Sequence, residues 1–122
     1  MKLISGGVCA AQGFKANGIH CGIRHNRTKR DLALIVSDVP AAAAAVYTTN
    51  LVKGAPLTVT KKNIANGIAQ AVICNSGNAN TCNANGIEIA EGMCALQLKC
   101  ILTVHTIQQL TQQQAQRLIL RM

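Results

Sequence analysis

Ala69-Gln70-Ala71-Val72-Ile73-Cys74 runs directly into Asn75-Ser76-Gly77-Asn78-Ala79-Asn80. The first six residues are short, mostly apolar and rich enough in β-formers to predict a buried strand. The next six hold three asparagines, a serine and a glycine. Asn and Gly tolerate left-handed backbone angles, and Asn side chains bond to nearby backbone, so the strand is expected to end in a polar loop. In open α/β sheets, sites often lie beyond the C-terminal ends of strands. A plain turn has the same composition, and spacing alone leaves both readings open.

Upstream, Leu32-Ala33-Leu34-Ile35-Val36 is a continuous apolar run with charges before it and Ser37-Asp38-Val39-Pro40 after it. It predicts a fully buried strand, with Pro40 ending the ladder and turning the chain. Gly6 to Gly22 carries five glycines, which is loop chemistry with one short strand near Phe14. Ala41 to Ala45 favours helix by propensity, whereas Val46-Tyr47-Thr48-Thr49 favours strand. The expectation there is a strand over 44–49. Leu57-Thr58-Val59-Thr60 alternates and predicts a half-buried strand, followed by a short helix that Lys61-Lys62-Asn63-Ile64 opens and Asn66-Gly67 stops.

Downstream the period changes. Ile87, Ala90, Cys94, Leu98 and Ile101 fall at helical steps, with Glu88 and Glu91 early and Asn85 in place to cap the helix. From Gln97 to Met122 there are seven glutamines, no acid and no glycine. This composition shift divides the chain into a unit over 1–96 and a divergent glutamine-rich tail over 97–122, helical or disordered.

Composition narrows the function. Apolar residues make up 49% of the 122, but Phe14 and Tyr47 are the only aromatics. The net charge is +8, from 12 Lys and Arg against four acids. Its one dense basic segment, Arg24-His25-Asn26-Arg27-Thr28-Lys29-Arg30, has no aromatic beside it to stack on bases. It reads as a solvated loop leading into a strand, and no nucleic-acid partner is expected. Six cysteines, at 9, 21, 74, 82, 94 and 100, include no pair separated by two residues. His20-Cys21 with His25 lacks a second cluster at ligand spacing, so no metal site is expected. Ser5-Gly6-Gly7 breaks the first apolar run too early for an export signal, and no run reaches the length of a membrane span. A cytoplasmic chain with reduced thiols is expected, without a membrane partner.

Several blocks together resemble one enzyme family. They are Gly13-Phe14-Lys15-Ala16, Gly18-Ile19-His20-Cys21-Gly22-Ile23-Arg24, and Lys29-Arg30-Asp31 running through Leu32–Val36 to Ser37-Asp38. Val46-Tyr47-Thr48-Thr49-Asn50, Val52-Lys53, Ala55-Pro56 and Asn75–Asn80 complete the set. In order and spacing, over residues 6 to 96, they resemble the opening of the ornithine acetyltransferases, also called glutamate N-acetyltransferases. The resemblance implies a partial two-layer α/β unit of the ornithine acetyltransferase type with a C-terminal helix. It implies transfer of acetyl from N-acetylornithine to glutamate in arginine biosynthesis, with acetyl-CoA a co-substrate in some members and no other cofactor. It also implies self-cleavage before a threonine in an Ala-Thr-Met-Leu context. That threonine becomes the nucleophile, activated by its own freed amine. A Thr-Gly pair in a Ser-Thr-Gly-Val-Ile-Gly loop supplies the oxyanion donors.

Neither element occurs in this sequence. None of its nine threonines follows an alanine, and Gly92 is its last glycine. No catalytic or substrate-binding residue is therefore assigned. The loop residues Asn75, Ser76, Gly77, Asn78 and Asn80 are the ones expected beside the active site, in a supporting role. Two readings follow. In the first, the chain is an N-terminal fragment of such an enzyme, inactive by itself and lacking the remainder of the enzyme as its partner. In the second, it is a non-catalytic interaction fragment whose open strand edges and apolar faces bind other chains.

Overall fold

The computed structural model describes residues 3–103. A short 3-10 turn at Gly7–Ala10 leads into β1 (Phe14–Ile19), β2 (Leu32–Ala42), helix α1 (Ala55–Asn63), β3 (Ile68–Asn75) and helix α2 (Gly86–Thr103). The strands form one antiparallel sheet in the order β1-β2-β3. With the two helices this is the partial α/β unit the sequence implied, ending in a helix.

β2 is the central strand, as the Leu32–Val36 run predicts. Ala16, Ile35 and Val72 stand opposite one another across the three strands, and so share a face. That face is not closed. Val72 is 50% exposed and Phe14 37%, and together with Ile35 and small alanines they line a hollow of about 160 Å³. The strand expected to be fully buried is therefore only half-buried, because no element among the described residues covers this side.

Pro40 does not end β2, which continues to Ala42. The register against β3 breaks between Val36 and Ala41. Pro40 sits inside this irregularity, where its missing N–H breaks no ladder bond. Gln70 Nε2 donates to the Ser37 carbonyl at 3.3 Å across the gap. Residues 44–49 form no strand: Val46 is 98% exposed, and the segment has no ladder partner.

The expected strand at Leu57–Thr60 is instead the middle of α1. Pro56 in the first turn presets the helical φ, and Lys61 and Lys62 in the last turn suit the negative end of the helix dipole. Burial of Val59 settles the conflict with its β-branched neighbours. Val59, on α1, is 3% exposed, and α1 packs against α2, which carries the buried Ala90. Lys62 Nζ meets Glu91 Oε1 at 2.9 Å across the same joint. The gap at its foot is narrow: a β-carbon on Gly86 would come within 2.9 Å of Ala55 Cβ.

The helix expected from Ile87 is α2, and it runs through Gln97. The rest of the expected glutamine-rich tail, 104–122, lies outside the described residues. Among the described residues, no helix is long and apolar enough to cross a membrane.

Candidate functional site

Loop 75–80 leaves the end of β3 and returns toward the start of α1. Its backbone needs the residues it has. Gly77 has φ +101, and Asn80 has φ +56, a left-handed value that Asn tolerates better than most side chains. The two ends of the loop clasp each other. Asn80 Nδ2 donates to Asn75 Oδ1 at 2.6 Å, and Asn75 Nδ2 donates to Asn80 Oδ1 at 3.3 Å. Inside the loop, Asn78 Oδ1 accepts the Asn80 amide at 3.3 Å. The Asn80 carbonyl then accepts the amide of Ala55 at 2.9 Å, where α1 begins. Thr81 Oγ1 donates to the Lys53 carbonyl at 3.1 Å.

The other wall of the loop comes from the segment between β1 and β2. Ser76 donates its amide to the Asp31 carbonyl at 2.8 Å and accepts from Arg24 Nε at 3.0 Å. The Asp31 side chain is fully buried. Its Oδ1 accepts the Cys21 amide at 2.7 Å, and its Oδ2 accepts the Arg24 amide at 2.9 Å. His20 Nδ1 lies 3.1 Å from Asp31 Oδ2 and 3.1 Å from the Lys29 carbonyl.

Electrostatics follow from this cradle. Burial works to raise the Asp31 pKa. The amides of Arg24 and Cys21, the Cys21 thiol and the neighbouring His20 more than offset it, and hold the carboxyl well below the usual carboxylate range. Burial, and then donation to Asp31, push the Cys21 thiol up to about 11. Cys21 therefore stays protonated at neutral pH, which suits a donor and not a nucleophile.

Beside the loop, an open cleft of about 570 Å³ runs between the chain before α1 and the chain before α2. Its polar lining includes Lys53, Thr58, Asn83, Asn85 and Glu88, and its apolar lining includes Leu51 and Ile87. Such a cleft offers hydrogen bonds and both signs of charge to a small polar molecule. Among the described residues, no group of three or more His, Cys, Asp and Glu is gathered as a metal would require.

All five loop residues singled out in the sequence are brought together here. The His20-Cys21-His25 grouping is not: His20 and Cys21 turn inward to Asp31, while His25 stays on the exposed part of the basic loop. Sequence reasoning missed Asp31 and Arg24 as partners of the loop. The available signal was a lone acid closing a basic run, directly before an apolar strand.

The chain is similar to proteins of known kind. A model of the ArgJ family matches residues 15–113. The arginine biosynthesis bifunctional protein ArgJ of Symbiobacterium thermophilum is 46% identical over 103 residues, which is 83% of this chain and 26% of that protein. The protein of the same name from Halalkalibacterium halodurans is 49% identical over 98 residues, 79% of this chain and 23% of its own length. Among solved structures, ArgJ of Bacillus halodurans superposes with a TM-score of 0.69 at 49% identity, covering 74% of this chain and 47% of that one. The Mycobacterium tuberculosis ornithine acetyltransferase, solved in complex with ornithine, gives 0.64 at 41% identity, covering 68% and 44%. The chain thus spans about a quarter of the length of the curated relatives it matches.

Proposed function

The chain belongs to the ArgJ family, and from that premise we propose that it supplies the N-terminal portion of an ornithine acetyltransferase. That enzyme would move acetyl from N-acetylornithine to glutamate in arginine biosynthesis, in the cytoplasm. One observation carries the proposal: about half of the aligned residues are identical along four-fifths of this chain, yet that stretch is about a quarter of the relatives. Within that portion, loop Asn75–Asn80 borders the active site and supports it by holding neighbouring backbone in place.

The 122 residues contain neither a threonine in the family's cleavage context nor the Thr-Gly oxyanion loop. Without nucleophile and oxyanion donors, the main sources of acyl-transfer rate are missing. The 122-residue polypeptide is thus inactive alone, and its chief partner is the remainder of the enzyme. The sheet face around Phe14, Ile35 and Val72, left open among the described residues, favours the same partner, because exposed contiguous apolar surface marks an interaction face.

Ornithine release from N-acetylornithine and glutamate tests this. The chain alone should give none. The chain mixed with the Halalkalibacterium halodurans protein lacking the matching segment should restore it. Turnover by the 122 residues alone would sink the proposal, since some threonine or cysteine here would then be the nucleophile.

A further inference from the structure

We infer that Arg24 is a positioning residue for the acetyl-transfer site: pinned by buried Asp31, it seats loop Asn75–Asn80 through Ser76. The inference rests on the reading that this loop borders the active site.

Three independent contacts join the two segments. Arg24 Nε donates to Ser76 Oγ at 3.0 Å. The Ser76 amide donates to the Asp31 carbonyl at 2.8 Å. At Gly77, a β-carbon would stand 2.6 Å from Arg24 Cγ and 3.2 Å from Ile23 Cγ2, so the loop backbone lies directly against the Arg24 stem. Arg24 is itself fixed at its amide by the Asp31 carboxylate at 2.9 Å. The rest of the basic run behaves differently, because residues 25–30 are exposed whereas Arg24 is half-buried.

The chain of contacts continues past the loop. Asn75 and Asn80 clasp, and Asn80 caps the start of α1 through the Ala55 amide. A guanidinium suits the first link, because its planar fork holds an acceptor in a fixed direction where an ammonium does not. Arg24 thus sets the position of a loop whose other end sits beside the cleft at Lys53 and Asn83. A displacement of the order of an ångström in a site-forming loop is enough to lower turnover strongly.

The test is steady-state acetyl transfer by the intact enzyme containing this segment, with Arg24→Ala, Arg24→Lys, Ser76→Ala and Asn80→Ala. Arg24→Ala and Ser76→Ala should each lower kcat about tenfold or more, with KM within about twofold and the melting temperature nearly unchanged. Arg24→Lys should recover only part of the loss. Should Arg24→Ala fold poorly, Ser76→Ala carries the same expectation with a smaller change. Wild-type kcat in both variants, with Asn80→Ala impaired, overturns the role of Arg24 and leaves the loop's role standing. Full activity of Asn80→Ala overturns the loop reading and the inference with it. A fall in kcat matched by loss of folded enzyme in Ser76→Ala makes the contact merely structural and also overturns it.

Discussion

Asn75 and Asn80 exchange side-chain amide hydrogen bonds, at 2.6 and 3.3 Å, and so close the polar loop at the end of β3 on itself. An amide does this and a carboxylate does not, because each partner donates and accepts at once. Asn80→Asp removes the donor of the shorter bond and sets two oxygens facing each other. Asn80→Ala removes both bonds and leaves a β-carbon at φ +56. Each should lower stability by about 1–2 kcal/mol. Denaturant unfolding checks the magnitude. Hydrogen exchange at the Ala55 amide, which Asn80 caps at 2.9 Å, should quicken in both variants, and unchanged exchange there would count against the clasp.

Gly77 offers a second test. Gly77→Ala meets both a left-handed φ of +101 and the Arg24 Cγ at 2.6 Å. The expected loss is about 1–3 kcal/mol. The two causes separate in a double-mutant cycle. Arg24→Ala relieves the clash but leaves the backbone strain, so the double variant should be less destabilised than the sum of the single ones. Strict additivity would place the whole effect in the backbone.

The sheet was legible because its signals are local. The apolar runs at Leu32–Val36 and Ala69–Cys74, and the helical spacing from Ile87, each describe one element, and each is found. Leu57–Thr60 misled because two periods compete over four residues. Alternation suggests a strand, but Pro56 at the helix start and the burial of Val59 on α1 decide otherwise. Residues 44–49 misled because β-propensity needs a neighbouring strand to act on, and none pairs with them among the described residues. The loop's composition could be read, but its support could not. Arg24 and Ser76 stand 52 positions apart in sequence and 3.0 Å apart in space. Only the antiparallel pairing of β2 with β3 brings Asp31, just before one strand, beside Ser76, just after the other.

Asp31 makes stability depend on pH with a definite sign. Its carboxyl is held below the usual range in the folded chain, so folding favours the ionised form. The stability it contributes is fully present above the unfolded value, about pH 4. It is lost as pH falls from there through the depressed folded value. Asp31→Asn should cost roughly 2–4 kcal/mol at neutral pH, since one amide oxygen cannot replace two carboxylate oxygens that each accept a backbone N–H. Urea midpoints at pH 7, 5 and 3 check this. The gap between wild type and variant should hold from 7 to 5 and narrow at 3. A constant gap would assign the effect to packing instead of charge.

The same carboxylate should govern thiol reactivity. Cys21 is half-buried beside the Asp31 carboxylate, with its pKa pushed up to about 11 by burial first and by hydrogen bonding to that carboxylate second. The thiolate is the reactive species, so little of Cys21 is reactive at pH 8. Cys9, Cys74 and Cys82 are exposed. Timed alkylation with iodoacetamide at pH 8, read by peptide mass spectrometry, should therefore label Cys82 at least about tenfold faster than Cys21. Asp31→Asn removes the negative charge that disfavours a thiolate beside it, and should quicken labelling at Cys21 while leaving Cys82 unchanged. Equal labelling of Cys21 and Cys82 in the wild type would mean that the thiol is not directed at Asp31. An increase in the variant at every cysteine alike would report general unfolding. A change confined to Cys21 follows only from the local contact with the buried carboxylate.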